Sequence, residues 1–261
     1  MNILFIGDIV GAPGRRAVTE LLPRAVDQYR ADLVVANGEN ASGGIGITPP
    51  VADQFLAQGV DLLTSGNHIW KHKEILPYLD GTDRLLRPAN YPPETPGRGL
   101  AIVETAVGEP VAIINLEGRV FMSSLECPFR TADDLLQTLT PEVKVILVDI
   151  HAEATSEKQA LGWYLDGRVS AVIGTHTHVQ TADERILPSG TGYITDAGMT
   201  GPMDSVIGMN REIIQERFLT QRPHPFKVAT QNLQLQGVAL KIDAQGRCRE
   251  IHRVIMPLKS A

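Results

Sequence analysis

The stretch "NILFIGDIVGAPGRRAVTELLPRAVDQYRADLVVANGEN", residues 2–40, joins two apolar runs through a segment whose apolar residues recur at helical spacing. It predicts a buried strand over residues 2–9, an amphipathic helix over 14–30 and a second strand over 31–40. Short apolar runs that end in glycine and alternate with helical periodicity are typical of βαβ units on a parallel sheet. The stretch therefore predicts an α/β fold.

The rest of the chain continues this pattern. Residues 49–59 predict a helix, residues 87–99 a proline-rich loop, and residues 156–165 another helix. Further strands are predicted over residues 60–68, 99–107, 109–118, 143–153 and 169–178, with Gly108 in a turn, and residues 235–256 predict an antiparallel hairpin. Since no shift in composition marks a linker, we expect a single domain over residues 1–261.

Composition restricts the class of protein. The chain is 43% hydrophobic and 21% charged, an ordinary globular mixture, and its net charge of -6 comes without a basic tract. Duplex nucleic acid is therefore not an expected partner, because its binding requires clustered Lys and Arg. Two cysteines are too few for a disulfide framework, the first residues do not resemble a signal peptide, and no apolar run approaches the ~18 residues of a membrane span. We expect a cytoplasmic protein without a membrane segment.

Polar side chains follow the predicted strands, and a glycine precedes them in four of the five places. Ligands of open α/β sheets gather at the carboxyl ends of the strands. A lone aspartate there is most often a helix cap or a turn residue, and a lone histidine is most often packed in the core. Unrelated turn residues would not be expected to supply carboxylates, amides and imidazoles at one strand end after another. The polar residues at the ends of the five predicted strands are Asp8; Glu39 and Asn40; Asn67 and His68; Asp149 and His151; His176 and His178.

The His-x-His pair in "GTHTH", residues 174–178, gives the strongest single signal for a metal site. Alternate residues of an extended segment point the same way, so both imidazoles could face one ion or two adjacent ions. By the same geometry we expect His68 to point away from its neighbour Asn67.

Other motifs fit less well. Gly7, Gly11 and Gly14 do not have the spacing of a dinucleotide-binding loop, and the chain has neither a P-loop nor a nucleophile elbow. Barrel amidohydrolases usually carry His-x-His near their first strand. Metallo-β-lactamase-like hydrolases follow it with Asp-His, whereas Val179 and Gln180 stand here.

In this order, "GD", "GEN", "GNH", a strand ending in His and "GTHTH" resemble the calcineurin-like metallophosphoesterases, whose pattern is D-x-H, G-D, G-N-H-[DE], H and G-H-x-H. Three positions depart from that pattern: Val10 replaces a histidine, Glu39 an aspartate and Ile69 an acid. These departures, together with "GENASGGIGIT" and "TDAGMTGP", make nearly the whole chain similar to the small bacterial YmdB-type branch.

The resemblance implies a four-layered α/β/β/α sandwich with mixed sheets and a site for two metal ions. It implies hydrolysis of phosphodiesters such as 2′,3′-cyclic nucleotides, with a metal-bridging hydroxide as the nucleophile. By position, Glu39 would bridge the ions, and Asn40 would replace, through its amide oxygen, the histidine lost at Val10. The other expected ligands are Asp8 and His178 for the first ion, and Asn67, His151 and His176 for the second. Carboxylate, amide and imidazole donors favour Fe or Mn.

His68 is the expected general acid for the leaving ribose oxygen. Its orienting partner stays open, because Ile69 replaces the acid of the family pattern; the alternative role for His68 is phosphate binding without proton transfer. Residues 42–48 and 197–204 are expected to be loops that wall the substrate, and Phe121 or Phe129 could stack on a base.

The expected partner is a small phosphodiester or a nucleotide, and the sequence leaves open whether the chain forms a homo-oligomer. Two alternatives to a phosphodiesterase also stay open. One is a phosphomonoesterase or protein phosphatase of the same superfamily. The other is a metal-containing regulatory protein that senses a nucleotide with little turnover.

Overall fold

The computed structural model describes residues 1–106 and 108–259, and their strands form two sheets that stack face to face. Within these residues the first sheet has seven strands: β1 Asn2–Ile6, β2 Asp8–Ile9, β3 Leu33–Asn37, β4 Leu62–Thr64, β11 Met199–Pro202, β12 Leu233–Ile242 and β13 Cys248–Pro257. Their order is β2-β11-β12-β1-β3-β4, and β13 pairs with β12. Strands β1, β3 and β4 are parallel, and β12 is antiparallel to β1.

The second sheet has six strands among the same residues: β5 Leu100–Glu104, β6 Pro110–Glu117, β7 Val145–His151, β8 Ala171–Thr175, β9 Arg185–Ile186 and β10 Gly192–Ile194. Their order is β5-β6-β7-β8-β10-β9. Strands β6, β7, β8 and β10 are parallel, whereas β5 and β9 are antiparallel edge strands, so this sheet is mixed as well.

Helices cover the outer faces of both sheets. Along β1, Ile3 and Phe5 pack between the sheets, whereas Leu4 and Ile6 pack against the helices, which explains why this strand is apolar at every position after Asn2. The helices on the first sheet are α1 Gly11–Tyr29, α2 Pro49–Ala57 and α3 Ile75–Gly81, and those on the second are α4 Pro128–Thr138 and α5 Thr155–Tyr164. The predicted α/β/β/α sandwich with mixed sheets is therefore confirmed.

Several local predictions need correction. Residues 197–204 are not a simple wall loop, because β11 pairs there with β2 and β12. Helices α3, α4 and α6 Arg211–Thr220, and the 3-10 turn Ile69–Lys71, were not predicted. Helix α3 has only seven residues and α6 buries only Ile214, so little helical periodicity marks either of them, whereas the amphipathic pattern of α4 was missed.

The strand predicted over residues 99–107 is Leu100–Glu104, and residue 107 lies outside the described residues. No helix of the described residues combines the length and apolar character needed to cross a membrane.

Candidate dinuclear metal centre

The carboxyl ends of strands from both sheets meet at one edge of the sandwich and bring all eight predicted site residues together. Asp8 begins β2, and His151 ends β7. The others lie in the turns that follow β3, β4 and β8. Contacts link every one of them into a single cluster of Asp8, Glu39, Asn40, Asn67, His68, His151, His176 and His178.

One group of possible metal donors consists of Asp8, Glu39 and His178, whose ligand atoms lie within 4.8 Å of one another. Asp8 Oδ1 is 3.8 Å from His178 Nε2, and it is buried without a hydrogen bond from any part of the chain that the structure describes. Leaving a carboxylate oxygen buried and unpaired is costly. A cation between these atoms would remove that cost.

A second group consists of Glu39, His151 and His176, and its ligand atoms also lie within 4.8 Å of one another. His151 Nε2 is 3.1 Å from Glu39 Oε2, 3.0 Å from His176 Nδ1 and 3.2 Å from Asn67 Oδ1. One ring nitrogen thus faces three atoms with lone pairs, an arrangement that fits a cation. Since Glu39 belongs to both groups, the donors fit two metal ions that share one carboxylate.

The charges within the centre follow from burial and from close neighbours. Burial alone would raise the pKa of Glu39, but the His151 and His68 imidazoles lower it well below its usual range. Burial alone would lower the pKa of His151, but the Glu39 carboxylate raises it to about 9. Burial, helped by the charge of His151, lowers the pKa of His176 to about 3. Glu39 is therefore ionised and His176 neutral, the forms in which both residues bind metals, whereas His151 loses a proton when it binds one.

The two histidines of the His-x-His pair do not lie on an extended segment, so that expectation is wrong. Strand β8 ends at Thr175, and both His176 (φ 94°) and His178 (φ 63°) have left-handed backbone conformations. This turn directs one imidazole into each group of donors. His178 Nδ1 also lies 3.0 Å from the carbonyl of Ile207, which leaves Nε2 to face Asp8.

A buried ion pair holds this turn in place. Asp196 accepts hydrogen bonds from the backbone N–H of Thr177 at 3.1 Å and from its hydroxyl at 2.6 Å, and it pairs with Lys158 Nζ at 2.9 Å. Both charged residues are fully buried. Neither residue was predicted to have a role, although Asp196 lies in the stretch "TDAGMTGP" that carries part of the family resemblance.

A hydroxyl relay orients His151. Thr175 Oγ1 lies 2.9 Å from His151 Nδ1 and donates to Asp149 Oδ1 at 2.7 Å, so it accepts the proton of Nδ1 and leaves Nε2 for the second group. Asp149 accepts a further hydrogen bond from the Thr64 hydroxyl at 2.5 Å. Such partners fix the tautomer and the ring orientation of metal-binding histidines. Thr175 was not predicted as a site residue, because a threonine inside a strand is usually a packing residue.

Replacing Thr175 with valine is expected to weaken metal binding at the second group by about 10- to 100-fold, the usual effect of losing such a partner. Valine keeps the shape of the side chain but cannot accept from His151 Nδ1. Thr64→Val is the matched control, because it also removes a hydrogen bond to Asp149 without touching His151. Metal titration followed by calorimetry measures both variants, and equal affinities for the two would contradict the relay.

His68 does not lie on an extended segment, which was the basis for expecting its side chain to point away from Asn67. Its backbone is helical (φ -90°, ψ 0°) at the start of the 3-10 turn, and its N–H donates to Glu39 Oε2 at 3.2 Å. The ring places Nδ1 2.8 Å from Asn40 Oδ1 and 3.2 Å from Glu39 Oε1, and the side chain is 29% exposed. Asn40 is thus the orienting partner that the sequence left open.

Asn40 contacts both the first group of metal donors and His68. Its Nδ2 donates to Glu39 Oε1 at 2.8 Å and lies 3.2 Å from His178 Nε2, while its Oδ1 faces His68. The backbone of Asn40 is paired with that of Val10, which explains why it lies beside the lost histidine position. A half-turn of the amide would direct its oxygen to the first group, so the ligand role of Asn40 stays a prediction.

The two phenylalanines suggested for base stacking differ in their environments. Phe129 lies in α4 and packs edge to face against Tyr164, with ring centroids 5.4 Å apart. It belongs to the core between α4 and the second sheet. Phe121 is 89% exposed in the loop after β6.

The chain is similar to known proteins over almost its full length. The family model described as "YmdB-like protein" matches residues 4–254. The 2′,3′-cyclic-nucleotide 2′-phosphodiesterase of Bacillus subtilis is 50% identical over 257 residues, which cover 98% of this chain and 97% of that protein.

Solved structures agree with this comparison. A hypothetical protein from Thermus thermophilus has a TM-score of 0.93 at 46% identity, with 98% of this chain and 99% of that chain covered. A structure described as a novel phosphatase from Mycoplasma pneumoniae has a TM-score of 0.92 at 33% identity, with 98% and 93% covered. The match to the family model and the 50% identity confirm the predicted branch: the chain belongs to the YmdB-like protein family.

Proposed function

We propose that this protein is a metal-dependent phosphodiesterase and that 2′,3′-cyclic nucleotides are its class of substrate. The observation that carries the proposal is the position of Glu39, whose carboxylate is shared by two groups of metal donors at the meeting edge of the two sheets. The substrate class is supported by the 50% identical relative from Bacillus subtilis, which is a 2′,3′-cyclic-nucleotide 2′-phosphodiesterase. Cytoplasmic location and a single domain over residues 1–261 remain part of the proposal.

Iron or manganese suits these donors, because carboxylate, amide and imidazole are present without a thiolate. When bound, the ions supply Lewis-acid activation of water and stabilisation of negative charge on the phosphoryl oxygens. In this proposal Glu39 would hold both ions. Asp8, Asn40 and His178 would complete the first site, and Asn67, His151 and His176 would complete the second.

His68 is proposed to protonate the leaving ribose oxygen through Nε2. With the amide of Asn40 as placed, Nδ1–H donates to Asn40 Oδ1 and the protonated ring carries its second hydrogen on Nε2. With the amide turned so that its oxygen faces the first group, Asn40 Nδ2 donates to Nδ1, and the neutral ring, with its hydrogen on Nε2, can bind the phosphate but is too weak an acid to protonate an alkoxide. The acid role of His68 therefore belongs to the first arrangement, and phosphate binding without proton transfer to the second.

A substrate screen separates this function from its alternatives. The protein, supplied with Mn²⁺, would be assayed with the four 2′,3′-cyclic nucleotides, bis-p-nitrophenyl phosphate and p-nitrophenyl phosphate. We expect many turnovers on at least one cyclic nucleotide. Stoichiometric binding without turnover would favour the nucleotide-sensing alternative, and hydrolysis of the monoester alone would favour a phosphatase.

Replacing Asn40 with alanine is expected to weaken the first metal site and to lower turnover at saturating metal. The first effect follows from the loss of a donor beside His178, and the second from the loss of the partner of His68 Nδ1. Metal titration measures the first effect, and kcat at saturating Mn²⁺ measures the second. Metal affinity and kcat both equal to those of the unaltered protein would show that Asn40 has neither role.

A further inference from the structure

We propose that Phe121 is the surface on which the nucleobase of the substrate stacks, so that it determines specificity for nucleotides over base-free phosphodiesters. The inference rests on the proposed function, and it names the residue that would recognise the base. Both the conformation and the position of this side chain point to a ligand.

Phe121 is unusual in exposure and in backbone conformation. At 89%, it is the most exposed of the large apolar side chains that the structure describes. Its φ of 62° is left-handed, a conformation that is rare for an aromatic residue and is maintained only where the surroundings enforce it. Strain of this kind clusters at binding and catalytic sites.

Contacts of Glu157 hold the backbone that leads into Phe121. This carboxylate, only 8% exposed, accepts hydrogen bonds from the backbone N–H groups of Arg119 at 3.0 Å and Val120 at 3.1 Å. Gly118 leaves no room for a side chain, because a Cβ there would lie 2.5 Å from Glu157 Oε2. The loop is therefore anchored directly before Phe121, and the ring is presented on an ordered backbone.

Two contacts place this loop beside the candidate metal centre. The N–H of Glu153 contacts Met122 Sδ at 3.3 Å, and Glu153 Oε2 lies 3.2 Å from His176 Nε2. Arg119, exposed in the same loop, adds a positive charge suited to a phosphodiester. A nucleotide with its phosphate at the centre would then have its base on the side of Phe121. Aromatic side chains bind bases of every kind, because each base has a π-face.

Two other exposed aromatic residues, Phe226 and Trp163, already have stacking partners. The Phe226 ring packs under the Arg217 guanidinium at 4.7 Å, and the Trp163 ring packs under Arg185 at 5.5 Å. Among residues 1–106 and 108–259, the aromatic and cation–π pairs do not include Phe121. Its ring is free to stack on a ligand.

The experiment compares two substrates of Phe121→Ala: 2′,3′-cyclic AMP and methyl ribofuranoside 2′,3′-cyclic phosphate, the same ester without a base. We expect KM for the nucleotide to rise about 5- to 100-fold, with kcat little changed, which corresponds to the loss of one stacked base. KM for the base-free ester should not change, and Phe121→Tyr should restore the nucleotide KM. Phe218→Ala is the matched control, because Phe218 is 74% exposed and lies on α6.

An equal rise of KM for both substrates, or an unchanged KM for the nucleotide, would overturn the inference. Calorimetric binding of 2′,3′-cyclic AMP gives a readout that does not require turnover, and Phe121→Ala should weaken it by the same factor. Failure of the unaltered protein to hydrolyse either ester would instead count against the proposed function. Tight binding that does not depend on Phe121 would count against the inference alone.

Discussion

Replacing Glu39 with glutamine is expected to reduce the metal content from two ions per chain to one or none, and to abolish hydrolysis of cyclic nucleotides. Glu39 contributes to both groups of donors, so one substitution affects both sites. Glutamine keeps the size of the side chain but removes the negative charge that faces His151 and His68. Elemental analysis of protein purified without chelator, then reconstituted with Mn²⁺, measures the effect.

Glu117→Gln is the matched control for this substitution. Glu117 is as buried as Glu39 and ends β6 beside the centre, but it belongs to neither group of donors. Burial raises its pKa to about 7, so glutamine resembles a form that it already adopts. This variant should keep both ions. Two ions in Glu39→Gln, with unaltered thermal unfolding, would disprove the shared-carboxylate arrangement, and a single ion in the reconstituted unaltered protein would disprove the dinuclear site.

Replacing His68 with alanine is expected to slow hydrolysis of a 2′,3′-cyclic nucleotide by about 10²- to 10⁴-fold, the usual contribution of a positioned acid. Both ions should stay bound, because His68 belongs to neither group of donors. The physical reason for the slow reaction is the leaving group, since a ribose alkoxide leaves poorly without a proton.

The choice of substrate distinguishes the possible roles of His68. A nitrophenolate leaves without a proton. The His68→Ala variant should therefore lose much less activity on bis-p-nitrophenyl phosphate than on the nucleotide. Equal losses on both substrates, with metals retained, would assign His68 to phosphate stabilisation. Loss of an ion would make it a ligand.

The sequence by itself determined the class of fold and the members of the site. Apolar runs with strand and helix periodicity are local signals, and they placed the strands from β1 to β8 close to their observed positions. Parallel strands bring their carboxyl ends to one edge, so polar residues that follow several strands had to meet there. For that reason Asp8, Glu39 and His151, which are distant in the chain, were predicted as neighbours.

Only the tertiary structure decided which side chains belong to each group of metal donors and which residues orient them. The left-handed turn at His176 and His178 depends on Asp196 and Lys158, which come from different elements of the second half of the chain. Local periodicity describes how residues alternate along one segment, and it carries no information about a partner that arrives from a distant strand.

The same reason applies to the orientation of the two central imidazoles. His151 is fixed by Thr175 from the neighbouring strand, and His68 is fixed by Asn40 from the turn after β3. These hydrogen bonds exist only after the strands have paired and the two sheets have stacked. The sequence therefore determined which residues meet at the edge of the sheets, whereas long-range packing decided the direction in which each donor atom points.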